Sequence, residues 1–171
     1  MKSKVLILYS WLVKTSTFFL PEAPVFQAFR GFLYGLGMRR CGTNFKVSAN
    51  VILARLDLLY VENNVYFANN CVVTGGGEIH IGNNVLIGPN VVISSSNHGF
   101  NGLNYLGPYI IGKVIIEDNC WIGANSTLLK NTKIPTSSVV GAGSVCNKDY
   151  QTKYSLIAGV PAKIIKSMTP S

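Results

Sequence analysis

The stretch IHIGNNVLIGPNVVIS, residues 79–94, decides the fold. Its anchors Ile81, Ile87 and Ile93 stand six residues apart, and Asn84 and Asn90 follow the first two by three. Asparagine and glycine are the residues that tolerate a positive φ. A chain with such a residue at every sixth position runs straight briefly, bends sharply and runs straight again. The beat extends to both sides, with anchors at Val47, Leu53, Val61, Phe67 and Val73 before it and at Ile116, Ile122, Leu128, Ile134 and Val140 after it. Three residues past each anchor stands Asn, Gly or Ser, among them Asn50, Asn64, Asn70, Gly76, Ser96, Asn119, Asn125, Asn131, Ser137 and Gly143; only Leu56 departs.

Three hexads make one turn of a coil with flat sides. The spacing predicts turns 61/67/73, 81/87/93, 116/122/128 and 134/140/146, with a partial turn 47/53 ahead of them. Like residues then stack ~4.8 Å apart on successive turns. The position four after each anchor also points inward and is small or β-branched: Val51, Val65, Cys71, Val85, Val91, Cys120, Ser126, Thr132, Ser138 and Ser144. Asp57 at this position, beside Leu56, marks the first turn as irregular. The fold class is an all-β solenoid.

Two regions fall outside the beat. Residues 1–44 read as a helical, basic cap. Pro24 suits the first turn of a helix, and Val25, Ala28, Phe29, Phe32, Leu33 and Leu36 then share one face before Gly35 and Gly37 end it. A shorter helix is expected over residues 4–13. Residues 147–171 form a tail that folds back along the prism. Within the repeat body, residues 45–146, the chain spends 23 residues between Ile93 and Ile116 where six suffice. A long loop over residues 96–113 on an otherwise economical solenoid points to function.

Charge is unevenly placed. Residues 1–46 carry seven basic residues against Glu22, residues 47–146 four against five acidic ones, and the tail four against Asp149, within a net +8. A nearly neutral body excludes a nucleic-acid groove along it, which needs a basic stripe with aromatics. The basic ends suit phosphates at the C-terminal end and an anionic surface at the other. Residues 1–40 are accordingly read as a peripheral membrane contact, at the inner face of the membrane of an otherwise cytoplasmic protein. No run reaches the ~18 apolar residues of a membrane span. Cys41, Cys71, Cys120 and Cys146 match no zinc spacing and read as reduced core thiols. No metal is expected.

The chain holds two histidines, His80 and His98. His98 opens the long loop, where a substrate can reach it, and imidazole titrates near working pH. His80 reads as an outward corner residue. Glu78 follows Val73 by five as His98 follows Ile93, so the stacked hexads predict that Glu78 orients the His98 ring.

The runs Ile79–Asn90, Asn97–His98, Trp121–Asn125 (WIGAN), Val139–Val145 (VVGAGSV) and Ala158–Lys163 (AGVPAK) resemble the hexapeptide-repeat acyltransferases. The likeness is to the galactoside and maltose acetyltransferase branch and the colanic-acid and O-antigen polysaccharide O-acetyltransferases. The resemblance implies a left-handed parallel β-helix and a homotrimer. It also implies acetyl transfer from acetyl-CoA to a hydroxyl of a sugar in polysaccharide or lipid-linked glycan synthesis. In that scheme His98 is the general base and the Ala124 N–H the oxyanion donor. Trp121, Ala124 and Ala142 line the pantetheine arm, and Asn147, Lys148, Lys163 and Lys166 meet the nucleotide end. Lys163 and Lys166 replace Arg of some relatives and lack its bidentate grip. The acceptor contacts of the galactoside enzymes do not carry over, since Ala68 and Gly76 stand nearest their places. Asn69, Asn97, Tyr105 and Tyr109 are the candidates instead. The alternatives are N-acetylation of an amino-sugar nucleotide and a non-catalytic binding solenoid. Two histidines exclude the three-histidine zinc site of the carbonic anhydrases built on this coil.

Overall fold

The computed structural model describes residues 2–168. Three parallel sheets form the sides of a prism. The first face stacks Arg40–Cys41, Leu59–Val61, Ile79–Ile81, Val114–Ile116 and Lys133–Ile134. On the second lie Lys46–Val47, Tyr66–Phe67, Leu86–Ile87, Trp121–Ile122 and Val139–Val140. The third holds Ile52–Leu53, Val72–Thr74, Val92–Ser94, Thr127–Leu128 and Val145–Cys146. The predicted turns hold residue for residue, and Cys41 completes the turn that holds Val47 and Leu53. Every inward anchor from Val47 to Cys146 is buried, as are the small residues four past them.

The bends use the left-handed conformation the sequence implied. Asn50, Asn64, Asn70, Asn84, Asn90, Asn119, Asn125 and Asn131 all have φ between 56° and 65°. Their side chains also stack: the Asn44, Asn64 and Asn84 amides each donate to the Oδ1 of the next, ending at Asn119, over 2.9–3.0 Å. Asn64 and Asn84 therefore both relieve the bend and join adjacent turns, as Asn50 does with Asn70. Two bends differ from expectation. The positive φ falls on Gly75 rather than Gly76. Ser96 does not bend at all but starts a strand. Leu56–Leu58 forms a 3-10 turn, the irregularity that Asp57 signalled.

The N-terminal segment is two helices, α1 (Lys2–Thr17) and α2 (Pro24–Gly35), α1 being longer than expected. They cover the open end of the prism, where unpaired carbonyls of the first turn need donors. Ser10 Oγ donates to the Leu53 carbonyl at 2.6 Å and Tyr34 OH to that of Val51 at 3.0 Å. Buried Arg30 donates to the Leu20 and Thr17 carbonyls and lies 3.2 Å from Glu22, which also accepts from the Ala49 N–H and the Gln27 amide. Gly31 sits against the Phe45 carbonyl with no room for a Cβ. Polar and small residues thus face the prism, and the apolar stripe of α2 faces away from it. At the far end Ser155–Gly159 extends the second face, and Ala162–Ser167 turns back antiparallel along it.

Candidate active site

The excursion between the third and first faces is a hairpin. Ser96–His98 pairs antiparallel with Tyr109–Ile111, placing His98 opposite Tyr109. The two rings tilt against each other at 4.8 Å between centroids. Asn101 shapes the tip, its Oδ1 accepting from the Leu103 and Asn104 N–H groups. The arm stands clear of the prism with its apolar side chains uncovered; Leu103 is 85% and Leu106 88% exposed. His98 is exposed, and among the described residues its imidazole has no hydrogen-bond partner. Asn97 shares its strand, and Tyr105 packs against Phe100 at the tip, 5.1 Å between ring centroids. Beside the base of the hairpin a cleft of about 460 Å³ is lined by Tyr109, Ser96, Thr74, Arg55, Gly76 and Ile7. Sequence reasoning missed Arg55 and Thr74, because they flank the irregular first turns where the beat gives no register.

Glu78 does not attend His98. Its Oε2 accepts from His80 Nε2 at 3.0 Å and from Lys113 Nζ at 2.9 Å, and Oε1 accepts from Tyr60 OH at 3.2 Å. Lys113 first, then His80, holds this carboxyl down at about 2. His80 is no bare corner residue either: its ring stacks on Tyr60, 4.2 Å between centroids and 6° from parallel. Side chains two apart on a strand share a side, so Glu78 meets His80 before any residue of the next excursion.

The edge between the second and third faces is built differently. Its corners are Gly88-Pro89-Asn90, Gly123-Ala124-Asn125 and Gly141-Ala142-Gly143. Glycine is required there: a Cβ on Gly123 would lie 2.7 Å from the Ala142 nitrogen. The Gly143 N–H donates to the Ala124 carbonyl at 2.8 Å, yet the Ala124 and Ala142 N–H groups donate to no backbone acceptor among the described residues. Beside this edge Leu86 and Trp121 stack on the outer second face, 52% and 54% exposed. Asn69 lies on the same edge, two turns above Ala124. Lys163 and Lys166 lie exposed on the returning strand of the second face. Asn147 and Lys148 instead follow the last strand of the third face, with Lys148 Nζ 5.4 Å over the Tyr150 ring.

The expected site residues therefore occupy two different edges of one prism. His98, Asn97 and Tyr109 project from the edge between the third and first faces. Trp121, Ala124, Ala142 and Asn69 belong to the edge between the second and third. The cysteines take no part. Cys71, Cys120 and Cys146 are buried, which raises each thiol to about 11. Among the described residues no His, Cys, Asp and Glu group gathers as a metal site.

The bent, stacked coil is shared with hexapeptide-repeat acetyltransferases of known structure. Residues 113–148 match the family model described as bacterial transferase hexapeptide (six repeats). The chain is 33% identical over 135 residues to a Saccharomyces cerevisiae protein named "Putative acetyltransferase YJL218W", covering 75% of this chain and 66% of that protein. The chain thus spans less than two thirds of that curated relative, and 53% of a similar Staphylococcus aureus protein. Among solved structures, the hexapeptide-repeat acetyltransferase VCA0836 of Vibrio cholerae superposes with a TM-score of 0.84 at 25% identity, over 99% of this chain and 94% of that one. That protein is also known in complex with acetyl coenzyme A. A galactoside acetyltransferase in complex with coenzyme A superposes with a TM-score of 0.86 at 26% identity, over 98% of this chain and 82% of the other.

Proposed function

We propose that this protein transfers acetyl from acetyl-CoA to a hydroxyl of a sugar in a surface polysaccharide or its lipid-linked precursor. The observation that carries the reading is the pair of unspent N–H groups at Ala124 and Ala142, on an edge flanked by exposed Trp121 and Leu86. An extended thioester arm fits such an edge: amide groups along it take the free donors, and its methylenes lie on the apolar side chains. Acetyl-CoA supplies the activated acetyl group. Ala124 N–H donates to the thioester carbonyl oxygen, where charge gathers as the acceptor attacks. Trp121 packs on the arm beside Ala142. Lys163 and Lys166 face the phosphates, joined by Asn147 and Lys148, as charge-assisted donors.

His98 is the general base. A neutral sugar hydroxyl is a poor nucleophile, and an exposed imidazole takes its proton as the new C–O bond forms and the C–S bond breaks. The proton then passes to the departing thiolate. Asn97, Tyr105 and Tyr109 on the arm and Asn69 on the opposite edge receive the acceptor; tyrosine faces suit sugar rings. Because base and cradle sit on separate edges, a working site needs two copies side by side. A ring of three closes with every arm against a neighbour's cradle, and the exposed Leu103 and Leu106 gain cover in it.

The deciding experiment is thiol release from acetyl-CoA over a panel of sugars, amino sugars and sugar nucleotides, with wild type and His98→Ala. Transfer to a sugar hydroxyl that His98→Ala abolishes is expected. Transfer only to amines, little affected by His98→Ala at high pH, would replace the reading with N-acetylation. No release with any acceptor, together with no acetyl-CoA binding by calorimetry, would leave a binding solenoid.

A further inference from the structure

We propose that the outer faces of α1 and α2 dock on an anionic lipid surface. On α1, Val5, Leu8, Trp11 and Leu12 share one exposed side with Lys4 among them and Lys14 at its margin. On α2, Val25, Phe29, Phe32 and Leu36 form an exposed stripe at helical spacing. Trp11 is 56% and Phe32 62% exposed. Phe18 and Phe19 are also exposed where α1 ends. The inward sides of both helices are already satisfied by Ser10, Arg30 and Tyr34, so neither helix can roll over to hide this surface.

Charge selects the occupant. Glu22 is the only acidic residue before Asp57, and it is held by Arg30 and the Ala49 N–H. The free charges on the cap are therefore cationic: Lys4, Lys14 and Arg39. A second copy packed cap to cap would oppose these cations to one another. An anionic bilayer complements them, takes the aromatic side chains at headgroup depth, and lets lysine stems lie along apolar surface. No described helix is long and apolar enough to cross a membrane, so the cap lies on the surface rather than through it. Association side by side, which rests on the reading above, would present every cap at one end and multiply a weak contact. The docking itself stands without that reading, since it is a binding event on a separate surface.

Flotation with vesicles of phosphatidylcholine containing phosphatidylglycerol, against phosphatidylcholine alone, tests this on the full chain. Wild type is expected to float with the anionic vesicles at low salt and less so at high salt. Trp11→Gln with Phe32→Gln should cut partitioning at least ~10-fold through lost apolar burial. Lys4→Gln with Lys14→Gln should cut it by about fivefold per lysine on anionic vesicles only. In a Trp121→Phe background, the remaining tryptophan, Trp11, should shift its emission to the blue on vesicles. Both Gln positions are exposed, so an unchanged melting curve is expected and separates lost docking from lost fold. Absence of flotation with anionic vesicles, or flotation indifferent to the Trp11 and Phe32 changes, overturns the proposal. So does a vesicle-free assembly twice the mass of the Trp11→Gln/Phe32→Gln variant, which would make the cap a contact between copies.

Discussion

The first face and the second face are made by the same beat, yet their outer surfaces are opposites. Outward from the first stand Arg40, Tyr60, His80, Ile115 and Lys133, tied down by Glu62, Glu78 and Glu117. Outward from the second stand Lys46 at one end, then Tyr66, Leu86, Trp121, Val139 and Leu156, with Lys163 and Lys166 on the returning strand at the other end. The inward anchors decide that a prism forms, and the outward residues decide what each side meets. The first face carries its own ion pairs. The second, with the donor-bearing edge beside it, has polar backbone unspent and apolar side chains uncovered. In the reading proposed above it is the side that takes a ligand and a neighbour.

The sharpest break between the two would come from catalysis. His98→Ala should lower transfer by ~10²–10⁴-fold, the usual worth of a general base. If the site joins two edges of different copies, His98→Ala and a cradle-blocking Ala142→Trp are each inactive alone. Co-refolded in equal amounts they should recover about a quarter of wild-type activity, because random assembly pairs intact arms with intact cradles. No recovery on mixing would return the whole site to one chain. A corresponding change on the first face, Tyr60→Phe, should leave activity within about twofold, since it touches neither edge.

Assembly comes next. Leu86→Asp with Trp121→Asp places two charges in the surface proposed to be covered, at a cost of about 3–6 kcal/mol from lost burial alone. Sedimentation should then show single chains at concentrations where wild type is a ring. Ile115→Asp on the first face should leave the mass unchanged. If both variants dissociate, or neither does, the distinction between the faces has no consequence for assembly.

A smaller effect belongs to the corners, which serve all faces alike. Asn84 holds φ 56° and donates its amide to Asn119. Asn84→Ala must keep an unfavourable left-handed bend and lose the ladder, about 1–2 kcal/mol. In a chain of this size that lowers Tm by ~2–8 °C. Asn84→Gly keeps the bend and should cost less. Equal losses from both would show that the ladder, not the backbone, sets the price.

These corners were also the most legible part of the sequence. Asparagine at every sixth place fixes where the chain turns, and the anchors fix register even across the excursion, so Ile81 and Ile116 pair as read. The hairpin was not legible, because Tyr109, Ile110 and Ile111 are all exposed and show no alternation. The orientation of α2 was hidden for another reason. Periodicity finds a stripe but not the side that faces in, and here the Val51 carbonyl takes the Tyr34 hydroxyl while Gly31 packs on the Phe45 carbonyl, so the small and polar side turned inward. Of the proposed site, His98 falls on the protruding hairpin and Ala124 on a corner of the coil, where their places in the beat put them. The pairing of Glu78 was misread because counting hexads between turns overlooked a nearer partner two residues along the strand.

The least effect expected separates the faces by pH. Glu78 is held at about 2 by Lys113 and then His80, and Glu117 at about 2 by Lys133 and then Thr136. Both values lie below the ordinary carboxylate range. Such groups stabilise the fold fully above about pH 4.5, and that contribution fades as pH falls toward 2. Exposed pairs of this kind are individually weak, so the drop should be modest and shrink further with added salt. Thermal melts from pH 6 to pH 2 on wild type and on Glu78→Gln with Glu117→Gln check it. The variant should start slightly less stable and lose less on acidification, the two curves converging near pH 2. The apolar second face carries no such groups, so assembly mass should hold through the window where the melting temperature declines. Should the assembly dissociate in step with protonation of Glu78 and Glu117, the charged face would itself be an interface, and the roles assigned to the two sides would have to be exchanged.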